Sequence, residues 1–275
     1  MEFSSPVITL DAEGYVATLW LDRPDSRNAL GGAFWNDLPR AATSLAANPE
    51  IRVVVVAARG PHFSVGLDLK EFRGGFLSGD AASSQPATSA RVYQSIRAMQ
   101  DSITSLAKLA VPVIAAVHGY CIGAAIDLIS ACDIRLASST AVFSVRETKV
   151  AIVADLGTLQ RLPRILSAGH VAELAFTGKD IDAERANAIG LVNSLHGNSA
   201  EEVYAAALEL AKEIGANSPL AVQGAKAVLA ANDGRTVDEG LDFVARWNAM
   251  YHASNDLREA MAAFLEHRAP VFRGD

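Results

Sequence analysis

The chain has 275 residues, enough for one large domain or one domain with a smaller appendage. Half of them are hydrophobic and 20% are charged, which supplies material for a core and excludes wholesale disorder. With 24 Lys and Arg against 31 Asp and Glu, the net charge of -7 would repel a phosphate backbone and argues against nucleic acid as a partner.

The first residues, "MEFSSPVITL", carry neither a basic leader nor a long apolar core, and the chain ends "FRGD", which is not a peroxisomal tripeptide. No uninterrupted apolar run reaches membrane-spanning length. The expectation is a soluble cytoplasmic protein with no membrane partner. "YVATLWLD" (15–22) reads as a strand, 31–47 as a helix and "IRVVVVAA" (51–58) as a second strand. The small and polar residues at 74–90 read as a loop, and roughly 89–109 as a helix. "VPVIAAVHG" (111–119) and "CDIRLAS" (132–138) read as further strands, so the pattern is α/β with crossover connections. Cys121 and Cys132 lie in one apolar stretch without metal-ligand spacing and read as buried thiols. From about residue 200 the pattern turns wholly helical, over 200–215, 219–231, 236–251 and 256–268. That predicts an α/β core over 1–198 and a helical region over 199–275.

The chain has no P-loop, no dinucleotide-type glycine pattern and no H-E-x-x-H, so no metal site is expected. "HFSVG" (62–66) lacks the first glycine of a nucleophile elbow, which makes Ser64 a poor nucleophile candidate. Two turns, "HFSVGLDL" (62–69) and "HGYCIGAAIDL" (118–128), each follow a strand and lead into a helix. If they meet, their amides could serve one oxyanion; an ordinary strand-to-helix connection is the plainer alternative. Three carboxylates are oddly placed. Asp127 sits among Ile126, Leu128 and Ile129, where a buried structural role is the alternative. Glu147 could simply pair with Arg146 or Lys149 at the surface. Asp155 follows the apolar run Val150–Ala154 and could cap a helix through the amide of Gly157 or Thr158. Fully extended, residues 147 and 155 would stand roughly 25 Å apart, so cooperation needs a bend.

At these residues the chain resembles the crotonase (enoyl-CoA hydratase/isomerase) superfamily. The likeness runs from "ATLWLDRPDSRNAL" through "HFSVGLDLKEF", "VPVIAAVHGYCIGAAIDLISACDIRLAS", "GTLQRLPRIL" and "FTGKDIDAERANAIGLVNSL" to "SPLAVQGAKAVL" and "FLEHRAPVF". The resemblance implies a spiral of β-β-α units with a C-terminal helical trimerisation region, the trimers often stacked as hexamers. It implies an acyl-CoA substrate and no metal or redox cofactor. The backbone N–H groups of Leu67 and Ala124 would form an oxyanion hole for the thioester. Coenzyme A would lie along Arg27 and Ala29 and along Ser64, Val65, Gly66 and Asp68. A hydratase places glutamates at the positions of Asp127 and Glu147 and glycine at that of Asp155. Asp127, Glu147 and Asp155 together resemble instead the Δ3,5-Δ2,4-dienoyl-CoA isomerase branch, which acts in the β-oxidation of unsaturated fatty acids. On that reading Glu147 and Asp155 exchange protons with the two ends of the diene, and Asp127 positions them or tunes their charge. An enoyl-CoA hydratase and a non-catalytic acyl-CoA-binding oligomer are the alternatives.

Overall fold

Val53–Ala58 contains only Val and Ala, and all six side chains are buried in the computed structural model, which describes residues 3–75 and 84–275. A strand covered on both faces has no reason to alternate polar with apolar residues. In chain order the strands are β1 (Ile8–Glu13), β2 (Val16–Leu21), β3 (Val53–Ala58), β4 (Val113–Val117), β5 (Tyr120–Ile122), β6 (Ile134–Ala137), β7 (Val142–Ser144), β8 (Ile181–Asp182) and β9 (Ser194–Leu195). The helices of the core are α1 (Gly32–Ala46), α2 (Leu69–Gly75), α3 (Gln85–Ala107), α4 (Ala124–Ser130), α5 (Thr158–Arg161), α6 (Ala168–Thr177) and α7 (Ala183–Ala188). Four more follow: α8 (Ala200–Gly215), α9 (Pro219–Ala231), α10 (Val237–Tyr251) and α11 (Asn255–Glu266).

One sheet has the order β1-β2-β3-β4-β6-β9, parallel except for the edge hairpin β1-β2. The period of two along its strands divides its residues between two cores. Val54, Val56, Ala115 and Val117 face the core shared with α1, α3 and α4. Val53, Val55, Ile114 and Ala116 face Val203, Ala207 and Ala211 of α8, whose spacing of four puts small side chains in one row against the sheet. Full burial of a Val or Ile at such positions contributes about 1.5–3 kcal/mol each. A capping box, with Ser199 and Glu202 bonding each other's backbone amides, starts α8.

A second sheet has the order β5-β7-β8. Each pass of the chain lays a strand in the large sheet and then a short one in the small layer: β4 then β5, β6 then β7. The pass through β3 does the same less regularly, with Ser64 bridging Cys121 and Leu67 bridging Leu30. This is the expected spiral of β-β-α units. The short strands β5, β7, β8 and β9 escape sequence reading because two or three residues carry no periodicity.

The expected loop at 74–90 is corrected where the structure describes it. α2 runs through Gly75, and α3 begins at Gln85 with Pro86 in its first turn, where a missing N–H does no harm. Residues 76–83 lie outside the described residues.

Beyond α8, Gly224 of α9 lies against the Trp247 ring of α10, where a Cβ would come within 2.3 Å of Nε1. The C-terminal segment returns to this layer. Buried Asp256 accepts hydrogen bonds from Ser218 Oγ (2.6 Å) and the amide of Arg273 (2.8 Å). Leu229, Leu241, Met261, Phe264 and Leu265 stand exposed on these helices.

Candidate active site

The two glycine-containing turns meet. Ser64 N donates to the Tyr120 carbonyl (2.9 Å), and Ile122 N donates to the Ser64 carbonyl (3.1 Å), so the first turn lies alongside β5. Gly66 has φ +83, and a Cβ there would come within 2.4 Å of Ile122 O and 3.1 Å of Ala124 N. The crossing therefore demands glycine on grounds of both conformation and space. The hydrogen bonds of the first turn pass over Leu67: Leu30 N bonds Gly66 O, and Asp68 N bonds Leu30 O. Ala124 opens α4, where an amide has no acceptor inside its own helix. Among the described residues neither the Leu67 nor the Ala124 amide has an acceptor. Both residues line one cavity of about 240 Å³. The methyl groups of Ala124 and Ala125 are buried in the core.

The same cavity gathers Asp127, Glu147 and Asp155. Asp127 is 1% exposed, and its Oδ1 accepts from the amide of Thr158 at 2.5 Å. Burial, with the nearby Glu147 carboxylate adding to it, pushes its pKa up to about 7. Glu147 is also buried, its Oε2 has no hydrogen-bond partner, and its Oε1 lies 3.4 Å from where a Cβ on Gly123 would stand. Its pKa is raised, first by burial and then by the charge of Asp155. The simple surface pair with Arg146 or Lys149 is absent: Arg146 binds Asp180 and Ser144, and Glu147 turns inward. Asp155 is half-buried, and burial raises its pKa as well.

A bend brings these groups together. A 3-10 turn occupies Glu147–Val150, Ala151 takes the left-handed conformation at φ +61, and the amide of Ile152 bonds back to Glu147 O (3.2 Å). An L-residue there costs on the order of 1 kcal/mol, stored beside the site. Further on, Gln100 of α3 donates to the carbonyl of Asp155 at 2.5 Å. The helix-cap alternative for Asp155 is corrected. Gly157 holds the N-cap position of α5 with no side-chain cap, and of the two amides offered to Asp155, that of Thr158 is taken by Asp127.

Val92, Ile96 and Met99 of α3, Leu69 and Phe72 of α2, and Val150 and Ile152 make the remaining wall chiefly apolar. Of the residues expected along coenzyme A, Val65 lines the cavity, whereas Arg27, Ala29, Ser64, Gly66 and Asp68 do not. Ser64 is fully buried; its hydroxyl donates to Asn28 O (2.7 Å) and accepts from Gly66 N (3.1 Å). Asp68 accepts from Arg23 (2.8 Å) and from the amide of Lys70 (3.1 Å). Both side chains thus build the turn. Arg27 is exposed in a left-handed conformation, and its carbonyl accepts from Val65 N (3.2 Å). Ala29 is half-buried.

Several further residues contribute to the site. Asn28 is buried and ties the 23–28 turn to the 59–62 segment through Arg23 N, Arg59 O and His62 O. The spacing of Val92, Ile96 and Met99 marks one helical face and could have identified that wall. Nothing local marks Thr158 or Gln100, whose partners are 31 and 55 residues away.

The family model described as enoyl-CoA hydratase/isomerase matches residues 11–275. Over 266 residues the chain is 40% identical to the peroxisomal Δ(3,5)-Δ(2,4)-dienoyl-CoA isomerase of Arabidopsis thaliana, covering 97% of this chain and 95% of that protein. The mitochondrial Δ(3,5)-Δ(2,4)-dienoyl-CoA isomerase of Dictyostelium discoideum is 40% identical over 259 residues, 94% of this chain and 88% of that protein. Among solved structures, an enoyl-CoA hydratase from Bacillus anthracis matches with a TM-score of 0.88 at 30% identity, covering 98% of this chain and 100% of the other. These relatives correct the expected cytoplasmic location: they are placed in peroxisomes and mitochondria. By sequence over nearly its whole length and by fold, the chain belongs to the enoyl-CoA hydratase/isomerase family.

Proposed function

We propose that the chain is a Δ3,5-Δ2,4-dienoyl-CoA isomerase that moves protons with Glu147 and Asp155 on either side of an enolate held by the Leu67 and Ala124 amides. The observation that carries this reading is the presence of Asp155 in the same apolar cavity as Glu147 and the two acceptor-free amides. Shifting both double bonds removes a proton from the α carbon and delivers one to the ε carbon. Two separated carboxylates serve the two ends without either having to travel.

In this mechanism one carboxylate takes the α proton, and the electron pair passes into the thioester carbonyl, whose oxygen the two amides stabilise. The negative charge is delocalised along the conjugated chain. Collapse of the enolate draws a proton from the other carboxyl group onto the ε carbon. One group must begin ionised and the other protonated. Asp155, the less buried, ionises first, and its charge helps keep Glu147 protonated. Each turnover leaves these states exchanged, so a proton must return before the next. Asp127, held by the Thr158 amide in the same cavity, positions the other two carboxyl groups or tunes their charge. No metal or redox cofactor enters these steps. Coenzyme A is assigned to the surface near Arg27, Ala29 and the 64–68 turn. The exposed apolar side chains of α9, α10 and α11 support assembly of 199–275 into a trimer or hexamer. The role in unsaturated fatty acid β-oxidation rests on the relatives' activity.

The test follows absorbance in two cuvettes. With a 3,5-dienoyl-CoA, conjugation to the thioester must raise absorbance at longer wavelength. A flat trace there, with loss of enone absorbance from a 2-enoyl-CoA, would make the protein a hydratase. No turnover of either, with tight acyl-CoA binding, would leave a binding protein.

A further inference from the structure

Arg161 ends the four-residue helix α5, and its guanidinium folds back over the start of that helix. Nη1 donates to the carbonyl of Leu156 (3.2 Å), and Nη2 donates to Oγ1 of Thr104 on α3 (3.0 Å). A Cβ on Gly157 would lie 1.8 Å from Nη1, so glycine is what lets the guanidinium cross the turn. The side chain is half-buried, and among the described residues no carboxylate lies within ion-pair distance of it. A partly desolvated cation without a carboxylate in contact, beside a cavity holding three carboxylates, is unfavourable unless its field is used.

The turn it grips carries two parts of the site: Asp155 itself and the Thr158 amide on Asp127. α3 holds this turn at two points one helical turn apart. Gln100 reaches the Asp155 carbonyl directly, and Thr104 reaches the Leu156 carbonyl through Arg161. The same face of α3 supplies Ile96 and Met99 to the cavity wall, so the clamp fixes carboxylates and wall to each other.

We propose that Arg161 is a positioning residue of the carboxylate site, tying the 155–158 turn to α3 and setting a positive charge against Asp127. The kinetic part of this proposal rests on the isomerase reading; the electrostatic part does not. The groups facing Asp127 are Glu147 from the 3-10 turn after β7, Cys121 from β5 and Arg161 from α5. Arg161 is faced in turn by Arg164 and Cys132. Burial and, once it ionises, the Glu147 charge push Asp127 toward its protonated form; the Thr158 hydrogen bond opposes them first, and Arg161 adds to it. Without Arg161, Asp127 stays protonated to higher pH.

Arg161→Met, Arg161→Lys and Thr104→Val test this, with kcat and KM measured across pH on a 3,5-dienoyl-CoA. In parallel, the carboxyl titration of Asp127 is followed by NMR in protein carrying ¹³Cγ-labelled aspartate, with Asp127→Asn assigning the signal. Arg161→Met is expected to lower kcat about 30-fold with KM held within about threefold, and to move the Asp127 midpoint upward. Arg161→Lys keeps the charge, so its midpoint stays near wild type while kcat falls about fivefold. Thr104→Val releases one anchor without touching charge, giving about a threefold loss in kcat and an unmoved midpoint. An Asp127 midpoint that is the same in wild type and Arg161→Met, or equally displaced in Arg161→Lys and Arg161→Met, overturns the electrostatic role. Unchanged kcat in Thr104→Val overturns the clamp. If the wild type turns over no dienoyl-CoA, the isomerase reading fails while the titration still decides the charge of Arg161.

Discussion

The crossing turns and the carboxylate segment are held in different ways. Where 63–67 meets 120–124, the joining bonds run from backbone to backbone, and Gly66 allows a contact that no other residue would fit. The segment 147–158 is instead secured from outside, by Gln100, Arg161 and the grip of Asp127 on Thr158. Donors to an oxyanion must be rigid, because their value lies in needing no reorganisation when charge develops. Proton-transfer groups need tuned environments as well as position, and a segment anchored by side chains provides both.

The contrast can be broken from either side. Asp155→Asn or Glu147→Gln should lower isomerase kcat by about 10³-fold. Thermal unfolding at neutral pH should show Glu147→Gln at least as stable as wild type, since burial disfavours the ionised carboxylate that the amide replaces. Gly66→Ala attacks the other region and should cost about 2–3 kcal/mol of stability, read by urea unfolding, with kcat falling as the amides move apart. Gln100→Ala should leave the fold intact and lower kcat about tenfold; an equal rise in KM alone would assign Gln100 to the wall rather than the clamp. A separate effect is on stability against pH. The folded-state pKa of Asp127, about 7, lies above the ordinary 3.8, so its contribution is fully present below about 3.8 and is lost as pH rises through about 7. Asp127→Asn should flatten that part of the curve, measured by denaturant midpoints across the range.

How much could be read in the sequence follows the same division. Strands β2, β3, β4 and β6 and the long helices are legible because burial imprints a run or a period on each. The turns are legible because positive φ and close approach demand glycine, as at Gly66. The three carboxylates stand out as residue types, but their grouping came from family resemblance, since spacing alone put Glu147 and Asp155 far apart. The bend at Ala151 is invisible beforehand: an alanine there gives no hint of a left-handed turn. Asp155 reads equally well as a helix cap because the competitor for the Thr158 amide, Asp127, lies 31 residues away. Terminal residues gave no guide to compartment, as the peroxisomal and mitochondrial relatives show.

The central claim is that Glu147 and Asp155 each serve one end of the diene, and exchange with deuterated water reads this directly. In wild type, deuterium should enter the α position of the 3,5-dienoyl-CoA and the ε position of the 2,4-dienoyl-CoA. In Asp155→Asn, exchange should persist at one of these carbons and vanish at the other, with Glu147→Gln showing the reverse. Loss of both together in each variant, or retention of both, would contradict the division of labour between the two carboxylates.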